Sequence, residues 1–212
     1  MKALANQGGR ERLGALLYVA FALQYFAAQL AIAAKFQPHY SLARNTISDL
    51  GNTRCAAYGH RFVCSPDHLA MNVSFVLLGL AMITGAWLFV RSKRNRTLRV
   101  GFGLFAVGGL GTILVGLFPE NTVPVLHGLG AAAPFLPGNL GLVVLGLAWR
   151  ISRTFRFYTL ITGILGLLAL SFYITHHYLN LGQGGIERLV AYPQTVWMIV
   201  TGLFFLTRRE SK

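Results

Sequence analysis

The chain has 212 residues, of which 54% are hydrophobic and only 12% are charged, and its mean hydropathy is +0.54. A soluble domain carries roughly a quarter charged residues, so this composition excludes an ordinary water-soluble globular protein. The net charge of +13 would suit a nucleic-acid-binding protein, but the sequence predicts no basic face that is interleaved with exposed aromatic residues. We therefore expect no nucleic acid among its partners.

Apolar runs of about 20 residues recur along the chain, and each is long enough to cross a bilayer as a helix. They predict an all-α integral membrane protein, a six-transmembrane-helix bundle that forms a single domain over residues 1–212. The predicted spans are residues 13–34, 68–90, 100–118, 123–149, 157–178 and 186–206.

The distribution of basic residues predicts the orientation of the bundle. Fourteen of the 19 lysines and arginines fall in the two tails and in the turns 91–99 and 150–156. By the positive-inside rule these segments, with both termini, are cytoplasmic. Loops 35–67, 119–123 and 179–185 are then extracytoplasmic.

Two cysteines, Cys55 and Cys64, are present, and both lie in the first extracytoplasmic loop. An oxidising exterior favours a disulfide that closes this short loop. The alternative is a pair of free thiols in a reducing compartment.

The segment Tyr40–Gly51, with the sequence YSLARNTISDLG, is polar and lies between two apolar runs. Thr46 and Asp49 have the spacing of a capping box, which predicts a short helix at this point. Four neighbouring side chains in the segment are suited to binding a polar ligand: Arg44, Asn45, Ser48 and Asp49.

Spans three and four carry the residues that shape the interior of the predicted bundle. The third span is rich in glycine, which indicates a central helix that its neighbours approach closely. A phosphate-binding glycine loop would need a strand–turn–helix context that this sequence lacks. In the fourth span, Pro134 and Pro137 predict a kink whose freed carbonyl groups need partners, and Asn139 lies beside it.

We expect four segments at the extracytoplasmic ends of the helices to form one polar site. The candidate catalytic residues are Asp49, Glu120 and His127, since a histidine oriented by a carboxylate can act as a general base near neutral pH. The candidate lipid-binding residues are Arg44, Asn45, Ser48, Asn139, His177, Glu187, Arg188 and Tyr192.

Several of these residues also have a purely structural interpretation. Asp49 can pair with Arg44 to close the bundle, His127 can donate to a helix carbonyl, and Tyr192 can anchor the helix at the membrane interface. A zinc site built from His127, His177 and a carboxylate is an alternative, but the sequence has no H-E-x-x-H pattern. We therefore expect no metal and no cofactor.

Four motifs carry a resemblance to a known family: YSLARNTISDLG, GLFPEN, HGLGAAAPFLPGN and GIERLVAYP. Together they resemble the prokaryotic membrane family catalogued as domain of unknown function 998, from about Phe36 to Trp197. More distantly, the ISDLG, FPEN and H-G-x-G-A patterns are similar to the eukaryotic DRAM-type six-helix family. That family includes factors linked to autophagy, GPI-anchor lipid remodelling and plasma-membrane lipid organisation.

The resemblance implies a six-helix bundle with these motifs on the extracytoplasmic or luminal side, here of a prokaryotic plasma membrane, and it favours lipids as partners. It supplies no catalytic residues. The chain departs from the eukaryotic pattern where the segment Cys55–Cys64 follows the first motif.

The function that we expect is lipid handling, with an extracytoplasmic polar site that binds a phospholipid or lipid-linked headgroup. One alternative is an intramembrane hydrolase or transferase that uses His127 with Asp49 or Glu120. Ser48 is a candidate nucleophile for such a site, but no nucleophile-elbow pattern surrounds it. A second alternative is a small transporter, against which the apolar inner halves of several spans argue. Whether the protein is an enzyme stays open at this level.

Overall fold

The computed structural model describes residues 2–91, 93 and 95–208, and in this part of the chain helices dominate. The helices are α1 (Lys2–Ala33), α2 (His68–Val90), α3 (Arg96–Leu117), α4 (Pro124–Ala133), α5 (Asn139–Ala148), α6 (Arg153–Ile174) and α7 (Gly182–Thr207). A π-helical turn (Pro134–Gly138) joins α4 to α5, and a 3₁₀ turn (Ser48–Gly51) follows α1. Two short strands, β1 (Ala56–Tyr58) and β2 (Arg61–Val63), pair as an antiparallel hairpin.

Within the described residues, six helical segments are long and apolar enough to cross a membrane, and α4 and α5 together form one of them. This confirms the predicted fold class. Large apolar side chains face outward, with Leu30 74% exposed and Val125 73% exposed, as expected where lipid replaces water. Six spans place the first and last described residues at the same end of the bundle. We call the other end, which carries residues 34–67, 118–123 and 175–181, the loop end.

Helix α3 packs between two neighbouring spans, with α2 on one side and α4, the π-helical turn and α5 on the other. Glycines make these contacts close: a Cβ on Gly79 would lie 2.4 Å from the carbonyl oxygen of Gly109, and one on Gly111 would lie 2.3 Å from that of Gly130. Side chains of any size would force the helices apart. The glycine-rich third span is therefore closely packed, as predicted, but among the described residues its backbone packs closely against the second and fourth spans alone, so the predicted central position is wrong.

The predicted kink in the fourth span takes the form of the π-helical turn, which contains Pro137. Its carbonyl groups accept hydrogen bonds from side chains: Pro134 O from Gln194 Nε2 at 2.7 Å, and Phe135 O from Asn139 Nδ2 at 2.9 Å. Asn139 also donates to Val190 O at 3.1 Å and so ties the turn to α7. Polar side chains thus bond carbonyl groups of the irregular turn.

Aromatic rings fill the core towards the end of the bundle opposite the loop end. Phe89 and Phe102 stack with ring centroids 5.9 Å apart, and Trp149 stacks on Phe205 at 5.5 Å. Tyr18 connects this cluster to Trp197, with centroids 5.9 Å apart. This cluster fills the interior of the bundle between the loop end and the opposite end.

Helices α1, α3 and α6 begin before the predicted spans, at Lys2, Arg96 and Arg153, and two boundaries at the loop end also differ from the prediction. Helix α6 ends at Ile174, not at residue 178, because His176, Leu179 and Asn180 adopt positive φ angles of 56°, 48° and 60° that a helix does not allow. Helix α7 begins at Gly182, four residues earlier than predicted. The first loop, residues 34–67, packs closely on the first turn of α7, since a Cβ on Gly184 would lie 2.1 Å from Asn45 O.

The first loop, residues 34–67, is stapled at its hairpin. Cys55 and Cys64 form the expected disulfide, and Cys64 O also accepts a backbone hydrogen bond from Gln37. Thr46 and Asp49 bond each other reciprocally, Thr46 N to Asp49 Oδ2 at 3.1 Å and Asp49 N to Thr46 Oγ1 at 3.2 Å. This is the capping-box geometry that their spacing predicts.

Candidate functional site

Asp49 is fully buried and lies at the centre of the polar groups at the loop end. Its carboxylate accepts hydrogen bonds from Asn45 Nδ2 at 2.9 Å and from Thr46 N. Arg61 binds it with two nitrogens, Nε at 2.6 Å and Nη2 at 2.7 Å. The predicted partner Arg44 is exposed on the loop, so the ion pair that closes this site is formed by Arg61 instead.

Arg61 is a functional residue that the sequence interpretation missed. It lies on β2, and the hairpin that the disulfide closes holds it over Asp49. A bidentate guanidinium–carboxylate pair is among the stronger polar contacts in proteins. The available signal was that Arg61 is the arginine between the two bonded cysteines, but its partner could not be read from spacing.

Asp49 and Glu120 form a pair of carboxyl groups with opposite protonation. Burial alone would raise the pKa of Asp49, but hydrogen bonds from Arg61, Glu120 and Asn45 hold it below its usual value. Burial and the adjacent negative charge of Asp49 raise the pKa of Glu120 to about 9. At neutral pH, Glu120 is therefore a neutral acid that donates to an ionised Asp49.

Ser48 and His127 form a hydrogen-bonded pair across the site. Ser48 Oγ lies 2.9 Å from His127 Nε2, and His127 Nδ1 lies 2.9 Å from the carbonyl oxygen of Phe118. A carbonyl only accepts, so Nδ1 carries the ring proton and Nε2 is left to accept from the Ser48 hydroxyl. His127 thus donates to a backbone carbonyl, as its purely structural interpretation predicts. It also accepts a hydrogen bond from the Ser48 hydroxyl.

Glu187 and Arg188 attach the start of α7 to the loop. Glu187 Oε2 accepts from Ile47 N at 2.5 Å, and the residue is 5% exposed. Arg188 Nη1 donates to three backbone carbonyls, those of Leu42, Asn45 and Gly184, and Nη2 donates to the hydroxyl of Tyr40. Arg188 was predicted to bind lipid, but its Nη1 and Nη2 donors are engaged in holding the loop.

A cavity of about 820 Å³ adjoins these groups, and we call it the loop-end cavity. Its polar wall includes Ser48, Arg61, Glu120, His127 and Glu187. Its apolar wall comes from α4, the π-helical turn and the end of α6, and includes Ala132, Phe135, Leu136, Leu170 and Ile174. The cavity therefore has a polar wall, formed by the loops with His127 of α4 and Glu187 of α7, and an apolar wall formed by helices.

The loop-end cavity occupies a gap between two helices. Helix α6 packs along α5 but, in the described chain, scarcely contacts α4. Leu136 and Ile174 line the gap, and they are 53% and 65% exposed. Exposed apolar side chains therefore border the cavity where α4 and α6 separate.

The structure brings five of the candidate residues together and leaves others apart. Ser48, Glu120, His127 and Glu187 line the loop-end cavity, and Asp49 lies directly behind them. Asn45 supports Asp49. The others do not line it among the described residues: Arg44 and His177 are exposed, Asn139 holds the π-helical turn, and Tyr192 donates to Gln29 at 2.8 Å.

The zinc alternative finds no geometric support in the described part of the chain. No group of three or more histidine, cysteine, aspartate or glutamate side chains is placed there to hold a metal ion. His177 follows the end of α6 on the surface, while His127 lies buried in the first turn of α4.

A six-helix membrane bundle with an amphipathic cavity at one end defines the class of this protein. Within that class, the chain matches a family model over residues 7–203, and it belongs to the family described as "Protein of unknown function (DUF998)". The predicted resemblance to this family is confirmed, whereas the distant similarity to the DRAM-type family stays a prediction. No curated protein and no solved structure matches the chain.

Proposed function

We propose that this integral membrane protein handles lipids, and that its loop-end cavity binds the polar headgroup of a phospholipid or lipid-linked molecule. The observation that carries the proposal is that exposed apolar residues line the cavity where α4 and α6 scarcely contact each other in the described chain, and from it we infer a sideways opening. A lipid can enter such an opening without leaving the bilayer. Its headgroup would meet the polar wall while its chains stay against the apolar one.

The size of the cavity supports this proposal. Ligand sites are typically about 300–1,000 Å³, and the loop-end cavity, at about 820 Å³, falls within that range. It holds a headgroup and the first carbons of its chains. It does not enclose a whole lipid, so we expect the chains to extend into the bilayer.

The charges on the polar wall indicate how the headgroup is recognised. Arg61 is the guanidinium on that wall, and Asp49 neutralises much of its charge. Arg188 is engaged with backbone carbonyls. We therefore expect recognition through hydrogen bonds to hydroxyl and ester oxygens more than through a phosphate clamp.

We propose that the loop end faces the extracytoplasmic side of a prokaryotic plasma membrane. Fourteen of the 19 lysines and arginines belong to the tails and the turns of the opposite end, the cytoplasmic side by the positive-inside rule. The disulfide at the loop end supports the same orientation, because disulfides persist in oxidising compartments.

Transport is less well supported than binding. The aromatic cluster formed by Tyr18, Phe89, Phe102, Trp149 and Phe205 closes the bundle below the site. A path through the protein would have to cross this packed layer. The cavity therefore suits a molecule that enters and leaves from the same side.

Native mass spectrometry of the protein, extracted with its membrane lipids, tests the proposal. Gly128 lines the loop-end cavity, and nothing lies within 4 Å of where its Cβ would be. Gly128→Trp should fill the cavity and remove a lipid that co-purifies with the unmodified protein. Gly103→Trp is the matched control, because Gly103 has equally open space but lies on the exposed face of α3. Equal retention by Gly128→Trp, or no bound lipid in the unmodified protein, would contradict the proposal.

A further inference from the structure

We propose that Ser48 and His127 are a nucleophile and its general base, which cleave or transfer a carboxylic ester of the lipid in the loop-end cavity. This inference rests on the proposed function, since it assigns a reaction to the same site. It commits to one substrate class, a lipid that carries an acyl ester near its headgroup.

The first support is the directed hydrogen bond between the two side chains. The bond from His127 Nδ1 to Phe118 O fixes the ring tautomer, and Nε2 then faces Ser48 Oγ at 2.9 Å. A serine becomes nucleophilic when an adjacent base removes its proton. In Ser–His–Asp sites a carboxylate orients the histidine; here a backbone carbonyl takes that place.

The second support is that both residues are accessible from the cavity although they are held in place. Ser48 begins the 3₁₀ turn and is half-buried, and His127 lies in the first turn of α4. Both line the loop-end cavity. The two residues are 79 positions apart in sequence, so the fold, not local chain geometry, makes the pair.

The third support is the electrostatic setting of the pair. Arg61 lines the same cavity, and its Nη1 has only a long bond of 3.4 Å, to Gln183 Oε1. This nitrogen is the donor with capacity to stabilise negative charge that develops on a carbonyl oxygen. Because Asp49 already neutralises the guanidinium, a neutral ester fits this setting better than a phosphate dianion.

The reaction needs no further co-reactant than water or a lipid hydroxyl. His127 Nε2 takes the proton of Ser48 as Oγ bonds to the ester carbonyl carbon. The tetrahedral adduct collapses, the carbon–oxygen bond to the alcohol breaks, and His127 returns the proton to the leaving alkoxide. Water or a second hydroxyl then gives its proton to His127, attacks the acyl-serine and releases an acid or a new ester, and Ser48 regains its proton.

Labelling with a long-chain alkyl fluorophosphonate, read by intact mass and peptide mapping, tests the pair. The unmodified protein should gain one phosphonyl adduct on Ser48 with loss of fluoride, and Ser48→Ala should gain none. His127→Gln keeps a side chain that can donate to Phe118 O but removes the base, and it should slow labelling at least about 100-fold, as loss of a general base does. Ser171→Ala, an exposed serine on α6, should label like the unmodified protein.

The outcomes separate this inference from the proposed function. If the unmodified protein retains lipid in native mass spectrometry but forms no adduct, the reaction is wrong and lipid binding stands. An adduct that persists in Ser48→Ala, or labelling that is unchanged in His127→Gln, also overturns the inference. If Gly128→Trp retains the lipid, the proposed binding site itself is wrong.

Discussion

At the scale of single residues, Asp49 organises the site because it accepts from several donors while fully buried. A buried carboxylate is costly unless its oxygens are bonded, and here Arg61, Asn45 and Thr46 supply the donors. Glu120 beside it avoids a second negative charge by keeping its proton. The two carboxyl groups therefore depend on each other.

The ion pair of Asp49 and Arg61 gives a first prediction. Arg61→Ala leaves a buried charge without its partner and should destabilise the protein by about 3–5 kcal/mol. Thermal unfolding in detergent would show the loss as a lower Tm. The double variant Asp49→Asn with Arg61→Gln removes both charges and should cost less than Arg61→Ala alone. Independent, additive effects of the two changes would contradict the coupling.

The raised pKa of Glu120 gives a second prediction. The folded protein holds a proton that the unfolded chain releases above about pH 4.3, so this group's contribution to stability falls as the pH rises to about 9. Glu120→Gln is neutral throughout and avoids the loss. The unfolding free energy of this variant should exceed that of the unmodified protein by an amount that grows between about pH 5 and pH 9, by up to about 1.4 kcal/mol per pH unit. Thermal unfolding over this pH range would show the difference as a widening gap in Tm.

The control for this experiment is Asp67→Asn, which removes an acidic group at the same end, paired with the exposed Lys35. It reports what loss of a negative charge does in general. A Glu120→Gln advantage that stays constant with pH, or follows the Asp67→Asn curve, would show that Glu120 ionises normally.

At the scale of elements, glycine lets α3 pack against its neighbours, and this gives a third prediction. Gly111→Leu would place a Cβ 2.3 Å from Gly130 O on α4, and backbone cannot yield as a side chain can. We expect a loss of at least about 3 kcal/mol, the upper range for overpacked cores, and little folded protein in size-exclusion chromatography. Gly103→Leu, with open space around it, should fold normally. Equal folding of both variants would mean that α3 does not pack as described.

The elements also show what sequence alone can predict. Apolar runs and the prolines at 134 and 137 predict the spans and the break between α4 and α5, since both follow from local chemistry. The roles of Arg61 and Arg188 do not follow, because each is decided by a partner distant in sequence: Asp49 across the hairpin, and Leu42 and Asn45 across the bundle. His177 was placed wrongly because positive φ angles end α6 early.

The Ser48–His127 pair could be predicted from the sequence only in part. Both residues are visible as candidates in the sequence, and Ser48 is next to Asp49 in a polar segment. Their contact depends on the loop folding back over α4, with Glu187 and Arg188 holding it there. The residue types alone indicate that Ser48 and His127 are candidates for catalysis. Only the fold shows that they are hydrogen-bonded to each other.

At the scale of the whole molecule, the charge distribution predicts which end faces the cell exterior. Single cysteines can replace Leu181 at the loop end, which is 44% exposed, and Arg150 at the opposite end, which is also exposed. A membrane-impermeant maleimide should label Leu181→Cys in intact cells and Arg150→Cys only after permeabilisation. The reverse pattern would place the loop end in the cytoplasm and remove the disulfide from its oxidising compartment.

The central claim is that a membrane lipid occupies the loop-end cavity through the gap between α4 and α6. An experimental density map of the protein in a lipid nanodisc measures this directly. A bound antibody fragment would make the particle large enough to image. We expect density for a headgroup within hydrogen-bonding distance of Ser48, His127 or Arg61, continuous with chain density that leaves past Leu136 and Ile174. A map in which α4 and α6 close the gap, or in which the cavity holds only water, would contradict it.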